Sequence, residues 1–334
     1  MDFGIIMGVR NLPARPRPLV DVYDQFMGDA VHAEELGFDH VWVGEHHFSE
    51  DSWGPSAFPI LAHIAARTER VRLGPLVVCL PFHDPVRVAE DAATVDLLSH
   101  GRLDLGVGVG SAPLEYEVFG APMSQRWLRT FEALDVIEKC LTGEPVTHEG
   151  RFFRYPEFTM TTTPAQERLP IWVGGFGPRT IDETARRGHH LGSGVAEPFA
   201  AALAAHGRDP AEHHCCDLRW IHVAPTRQKA WDEAEEGLHH VLHFYRTWTN
   251  QPGTDADGPL AELPPLGQFR STPGIGMVFP FLVGTPDDIA EHFESYRHRP
   301  VTHCALEFNH AGMDADSVRQ SMRLFASEIM PAFR

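Results

Sequence analysis

Lysine is nearly missing from this chain. Of its 28 basic residues only Lys139 and Lys229 are lysines, both inside stretches that read as helices, which excludes Schiff-base chemistry from a lysine at a strand end. There is no run of about eighteen apolar residues, the length a membrane-spanning helix needs. The opening MDFGIIMGVRNLPARP has neither a basic n-region nor a small-residue cleavage site, so it reads as a first β-strand and the expected location is cytoplasmic. The five cysteines, Cys79, Cys140, Cys215, Cys216 and Cys304, are odd in number, with no CxxC pair and no metal-type spacing. A reducing compartment suits them, and no metal centre is expected. Positive charge is scarce overall: the formal net charge of −18 repels nucleic-acid backbones and anionic membranes, and neither is expected as a partner.

What is present is alternation. At 334 residues and 43% hydrophobic content the chain can bury a large core. Strand-type runs at 2–9, 40–47, 72–80 and 103–109 alternate with helix-type runs at 19–36, 57–68, 85–99 and 124–141, which implies a parallel sheet. Gly37 after AEEL reads as a helix C′ residue, Asp84-Pro85 as N-cap and N1, and Gly101 as the close of the third helix. The second half continues with strands at 170–174, 189–195, 217–224 and 302–308 and helices at 178–187, 197–206, 226–246 and 314–330. Eight strands with outer helices favour a single α/β domain over 1–334, a closed (β/α)8 TIM barrel rather than an open doubly wound sheet. Segment 142–165 reads as a hairpin inserted after the fourth helix. Segment 247–275, rich in Pro, Gly and Asp before the eighth strand, reads as a mobile lid or a disordered loop.

Barrel chemistry sits at the C-terminal ends of strands, and three of these ends are unusual. The second strand ends in VWVGEHHF, grouping Glu45, His46 and His47. Strand alternation puts His46 on the face of Trp42 and Gly44, towards the lumen, and the valines towards the helices. An imidazole there can give or take a proton near neutral pH, although a core histidine bonded to a carbonyl has the same address. The fifth strand runs PIWVGGFGPRT, where Gly174, Gly175 and Gly177 precede a helix opened by Pro178, with Arg179 and Thr180 in its first turn. This suits a phosphate monoester and equally a tight turn that needs glycine for its dihedrals. The fourth strand, DLGVGVGSAPLEYEVFG, fails the dinucleotide fingerprint because Ser111 stands where the third glycine belongs. Its Gly106, Gly108 and Gly110 instead form a bare face for something flat. Glu235, His239 and His243 share a helix face and read as a solvated stripe outside the barrel. Cys215-Cys216 reads as inert, because nothing nearby lowers a thiol pKa.

VWVGEHHF, the stretch LVVCLPFHDPVRVAEDAATVDLLSHGRLDLGVGVG, LEYEVFG and PIWVGG together resemble the luciferase-like flavin monooxygenases from the first strand to at least residue 195, and FLVGTPDDIAEHF resembles their helix-opening segment near the C-terminus. The resemblance implies a barrel in which reduced flavin and dioxygen oxidise a small organic substrate, with His46 as the catalytic histidine and Glu45 before it. It places Leu76-Val77, as a non-prolyl cis peptide, and Gly108 against the ring, and Gly175, Phe176, Gly177, Arg179 and Thr180 around the phosphate. Trp53, Phe82 and Tyr116 are expected to line the substrate pocket, though aromatics there also suit packing. The chain departs from the pattern at Val109, where many FMN-using relatives carry a phosphate-gripping arginine, and at Gly177, where relatives often carry serine, which implies either a low phosphate affinity or Arg179 as the substitute grip. F420-dependent relatives usually have aspartate at Glu45, which favours FMN. No NAD(P)H site is visible, so an NAD(P)H-dependent flavin reductase is the expected partner, and family members are commonly homodimers. The competing readings are an F420-dependent oxidoreductase and a flavin-binding barrel without catalysis.

Overall fold

A computed structural model describes residues 1–248, 263–271 and 281–334. In chain order the elements are β1 (Asp2–Met7), α1 (Leu19–Leu36), β2 (His40–Val43), α2 (Ala57–Ala65), β3 (Arg72–Pro75), β4 (Val78–Cys79), α3 (Pro85–Leu98), β5 (Leu105–Gly108), α4 (Pro113–Val118) and α5 (Arg126–Cys140). There follow β6 (Val146–Glu149), β7 (Arg154–Phe158), β8 (Ile171–Gly174), α6 (Pro178–Arg187), β9 (His190–Leu191), α7 (Ala196–Ala205) and β10 (Cys216–Val223). The chain ends with α8 (Arg227–Trp248), β11 (Leu282–Gly284), α9 (Pro286–Glu294), β12 (His303–Glu307), α10 (Ala315–Leu324) and α11 (Met330–Phe333).

The parallel strands form two arcs, β10–β12–β1–β2–β3, with β11 pairing to the end of β10, and β4–β5–β8–β9. Isolated bridges Leu73–Leu103 and Leu191–Cys215 join the arcs on both sides, which makes the expected barrel. Side chains split by parity. Val41, Val43, Leu105, Val107 and Val173 join the large core shared with the helices, whereas Ile6, Trp42, Leu76, Trp172, Cys216 and Ala305 form a separate cluster in the lumen. The caps behave as the sequence implies. Asp84 accepts from the Val86 and Arg87 backbone N–H groups at 2.9 and 3.4 Å, and Gly37 and Gly101 sit at φ 84° and 82°.

Several boundaries differ from the sequence reading. The second strand stops at Val43, so Glu45–His47 lie in a loop, and the third is interrupted at the cis Leu76-Val77 bond. The strand expected at 189–195 shrinks to His190–Leu191. Helix α4 follows strand β5 where no helix is expected, and β11 with α9 adds a βα unit before the last strand. That unit opens with a capping box between Thr285 and Asp288. Hairpin β6–β7 falls inside the expected insertion. Of segment 247–275, residues 249–262 and 272–275 lie outside the described residues. The described part includes a 3-10 turn at Phe269–Ser271 with Phe269 fully buried.

The lumen's lower end, at the strand N-termini, is polar where barrels usually pack branched aliphatics. Continuing the inward parity downwards gives Asp2, His40, Arg72, Asp104, His190, His214 and His303. The Arg72 guanidinium grips Asp104 with two bonds of 2.7 and 2.8 Å, and His40 Nε2 stands 3.3 Å from the same carboxylate. Burial alone would raise Asp104, but hydrogen bonds from His40 and Arg72 hold it at about 2. Burial, reinforced by His40 and His214, drives His303 down to about 2, and burial with His214 beside it drives His190 to about 3. The unfolded chain therefore binds more protons than the folded one between about pH 3 and 6.5, and stability is full above that window and falls as pH falls through it. The denaturant midpoint is expected to drop steadily from pH 7 to pH 4.5. A His190→Asn/His303→Asn double variant should show a shallower slope, and an unaltered slope would contradict the assignment.

Candidate active site

At the opposite end β2 gives way to Gly44, where a Cβ would stand 3.2 Å from Trp53 Cζ2, and the next three residues diverge. Glu45 is buried and turns sideways. Its Oε1 lies 2.9 Å from His47 Nε2 and 2.8 Å from His83 Nε2, and its Oε2 accepts from the Cys79 N–H at 3.3 Å. Burial works against the charge on Glu45, but bonds to His47 and His83 win and hold its carboxyl below the usual range. His83 is the reciprocal case, with burial opposing and Glu45 raising it above its ordinary value. Glu45 thus ties the β2 and β4 loops together.

His46 projects into an aromatic wall, its ring 4.3 Å from Trp53 and 5.6 Å from Phe244, both edge-on. Its Nδ1 faces Glu115 Oε1 at 3.4 Å. Glu115 comes from α4, is wholly buried, and also accepts the His47 backbone N–H at 2.7 Å. A carboxylate at Nδ1 selects the tautomer with its proton there and leaves the lone pair on Nε2, which has no partner among the described residues. Glu115 lies within LEYEVFG yet was not singled out by sequence. The missing signal was α4 itself, which folds the segment back under the β2 loop.

A second group missed by sequence lines the same end. Arg10, after β1, lays its guanidinium 3.5 Å over the Trp53 ring, with Nη1 3.3 Å from Asp51 and Nε 3.8 Å from Glu307. His240 of α8 reaches Asp51 at 3.1 Å, and the Trp220 indole N–H donates to Glu307 at 2.8 Å. Burial raises Glu307 despite Arg10. For Asp51 burial is outweighed by His240 and Arg10, which hold it low. Arg10 and Glu307 both sit at strand ends, so the strand-end rule that selected His46 applies to them as well.

The bare face of β5 has an occupant from the chain itself. A Cβ on Gly106 would sit 2.0 Å from the Pro75 carbonyl oxygen, and one on Gly108 would sit 2.4 Å from Val77 Cγ2. The space beside Gly106 and Gly108 is therefore filled by the Pro75–Val77 segment, and Gly174 of β8 makes room for Val77 in the same way at 2.7 Å. Leu76 joins the lumen cluster and Val77 packs against it.

The glycine loop after β8 suits an anion. Gly175 has φ 154° and lies against Thr180, and its carbonyl accepts from the Ser193 hydroxyl. Gly177 is the N-cap of α6 and offers no side chain to cap it, and a Cβ there meets nothing within 4 Å, so the space before the helix is open. Phe176 is exposed, Thr180 is buried, and Arg179 rests 4.2 Å over the Trp127 ring. Backbone donors, a helix N-terminus and a nearby guanidinium fit a phosphate group.

Of the three expected lining aromatics, Trp53 stands beside His46. Phe82 and Tyr116 instead pack on each other at 4.8 Å, with Phe119 5.1 Å from Phe82, and the Tyr116 hydroxyl donates to the Val109 carbonyl. The stripe Glu235, His239 and His243 is not simply solvated. Glu235 is buried against Arg270 and His239 lies 3.0 Å from the Pro264 carbonyl oxygen, because segment 263–271 covers them, while His243 is exposed. All five cysteines are free and buried, and burial pushes Cys215 to about 12.

A barrel with titratable side chains and a glycine loop gathered at its C-terminal mouth has the arrangement of the TIM-barrel enzymes. The luciferase-like monooxygenase family matches residues 1–303, and the chain belongs to that family. It is 31% identical over 325 residues to 4-hydroxyprotoasukamycin monooxygenase of Streptomyces nodosus subsp. asukaensis, covering 90% of this chain and 84% of that protein. It is 32% identical over 334 residues to an F420-dependent glucose-6-phosphate dehydrogenase of Microbacterium testaceum, covering 93% and 94%. Monooxygenase RslO1 of Streptomyces bottropensis has a similar fold, with TM-score 0.85, 26% identity and full coverage of both chains. The chain is thus an oxidoreductase whose relatives use a flavin or a deazaflavin. No helix among the described residues is long and apolar enough to cross a membrane.

The glycine geometry makes a stability prediction. Gly106→Ala should destabilise by about 1–3 kcal/mol or more, since a backbone oxygen stands in the way. Gly177→Ala should change stability by less than about 1 kcal/mol. Chemical denaturation of both variants checks this, and equal losses would contradict it.

Proposed function

We propose that the chain is the oxygenase of a two-component monooxygenase that takes reduced FMN from a separate NAD(P)H-dependent flavin reductase and oxidises a small organic substrate with dioxygen. The observation that carries the reading is the His46–Glu115 couple, an imidazole at the barrel mouth whose Nε2 has no partner among the described residues, backed by a wholly buried carboxylate. Gly175, Phe176, Gly177, Arg179 and Thr180 would hold the cofactor's phosphate, and Leu76 and Val77 would back its ring, with Gly108 acting only by making room for Val77. Reduced FMN, when bound, supplies the two electrons with which one oxygen atom enters the substrate and the other leaves as water. His46 takes or returns the proton at Nε2, and Glu115 holds the ring in orientation and stabilises it when it is protonated. Trp53, Phe244 and the Arg10 guanidinium laid on Trp53 form a wall that keeps water from the reacting end. Glu45 acts on the cofactor only through the loops it joins. Cytoplasmic location and assembly as a homodimer belong to the same proposal.

Turnover is measured as oxygen uptake with reductase, NADH, FMN and candidate substrates. His46→Gln should lower kcat by about 10²–10⁴-fold with reduced-FMN affinity retained. Glu115→Gln should lower kcat less, with KM little altered. Turnover unchanged by His46→Gln would favour a binding barrel without this chemistry.

The second reading, hydride transfer with F420, is favoured by the 32% identity to the dehydrogenase relative. Equilibrium titration separates the two. Tighter binding of reduced FMN, weakened about 10-fold or more by Arg179→Ala, supports the first reading, and tighter binding of reduced F420 with no oxygen uptake supports the second.

A further inference from the structure

The lower end of the lumen, away from His46, carries donors that the oxidoreductase chemistry does not use. We propose that Asp2, His40 and His303 form a site for a divalent transition-metal ion of the zinc, cobalt or nickel kind. One ligand-type atom from each of the three lies within 4.8 Å of the others, and His303 Nε2 stands 3.4 Å from Asp2 Oδ2. The ligand–ligand edge of a tetrahedron with bonds of about 2.1 Å is about 3.4 Å, so that pair already has the spacing a bound ion requires. The strand register creates the group: Asp2 pairs with His303 across β1–β12, and His40 pairs with Gly4, the next inward position on β1.

The surroundings fix the imidazoles in the way outer partners orient metal-binding histidines. Asp104, itself gripped by Arg72, takes His40 Nε2 at 3.3 Å, and Thr302 Oγ1 lies 2.8 Å from His303 Nδ1. His40 is 3% exposed, and its Nδ1 is a buried nitrogen with no hydrogen-bond partner among the described residues. With the proton held at Nε2, that nitrogen carries a lone pair. His214, its ring 4.8 Å from His303, adds another buried Nδ1 that has no partner among the described residues. An access route exists, because a cavity of about 630 Å³ lined by Asp2, His214, Tyr296, Thr302 and His303 opens on this face. Two imidazoles and one carboxylate, without a thiolate, suit zinc, cobalt or nickel better than magnesium or calcium.

A second trio at the mouth, Glu45, His47 and His83, also brings its donor atoms within 4.8 Å. Both of its imidazoles are already bonded to the carboxylate at 2.9 and 2.8 Å, and it serves as the internal control.

The test uses the untagged full chain, stripped with chelator and titrated with Co²⁺ while visible absorption and bound metal are followed. One equivalent is expected, with affinity reduced at least about 10–100-fold in His40→Gln and His303→Gln and unchanged in His47→Gln. Should either inner variant fail to fold, Asp2→Asn, at an exposed residue, gives the same reading: the rise in melting temperature that Zn²⁺ produces in the unmodified chain should be lost. No binding, binding that survives both histidine substitutions, or loss in His47→Gln would overturn the proposal.

Discussion

The barrel depends on how two large rings fit inside its lumen. Trp42 and Trp172 meet edge to face at 5.5 Å in the middle of the ring of strands, both almost completely buried. Eight tilted strands leave room for side chains but not for crowded layers, so glycines face these rings. A Cβ on Gly74 would lie 2.5 Å from Trp42 Cζ3, and one on Gly4 would lie 3.1 Å from Trp42 Nε1. In the same way Gly106 and Gly108 leave room for the Pro75–Val77 segment. This plug divides the lumen into two chambers with different chemistry.

In the upper chamber two buried carboxylates from different elements do different work. Glu45 spends both oxygens on His47, His83 and the Cys79 amide, so it organises loops. Glu115 has one oxygen engaged and the other buried with no partner among the described residues, and it is the residue that faces His46. Adjacent residues of one motif, Glu45 and His46, are therefore separated in function by the end of β2 at Val43: beyond the last ladder bond each side chain follows its loop rather than the pleat. Arg10, Asp51, His240 and Glu307 add a polar rim in which one guanidinium answers two carboxylates. The lower chamber gathers imidazoles around Asp2 and the Arg72–Asp104 pair.

Much of this was legible in the chain. The strand–helix alternation, the caps at Gly37, Asp84 and Gly101, the inward direction of Trp42 and the glycine turn before Pro178 all rest on local periodicity or turn chemistry, which a sequence carries openly. What was hidden depends on elements meeting at long separation. Glu115 needed α4 to fold beneath a loop 68 residues earlier. The glycines of β5 announced a close approach, but only the fold identified Val77 as the neighbour. Phe82 and Tyr116 were expected in the pocket from their neighbourhood, and only the fold showed that their rings pack on each other. His40 and His303 share no spacing motif, since strand register and ring closure alone bring positions 2, 40 and 303 together.

The most direct measurement is a crystal structure of the chain soaked with FMN. The expected density places the phosphate before α6 at Gly175–Thr180 and the ring against Val77, with its reactive edge towards His46 Nε2. A phosphate bound elsewhere, or a ring whose edge lies away from His46, would contradict the assignment of the mouth as the flavin site.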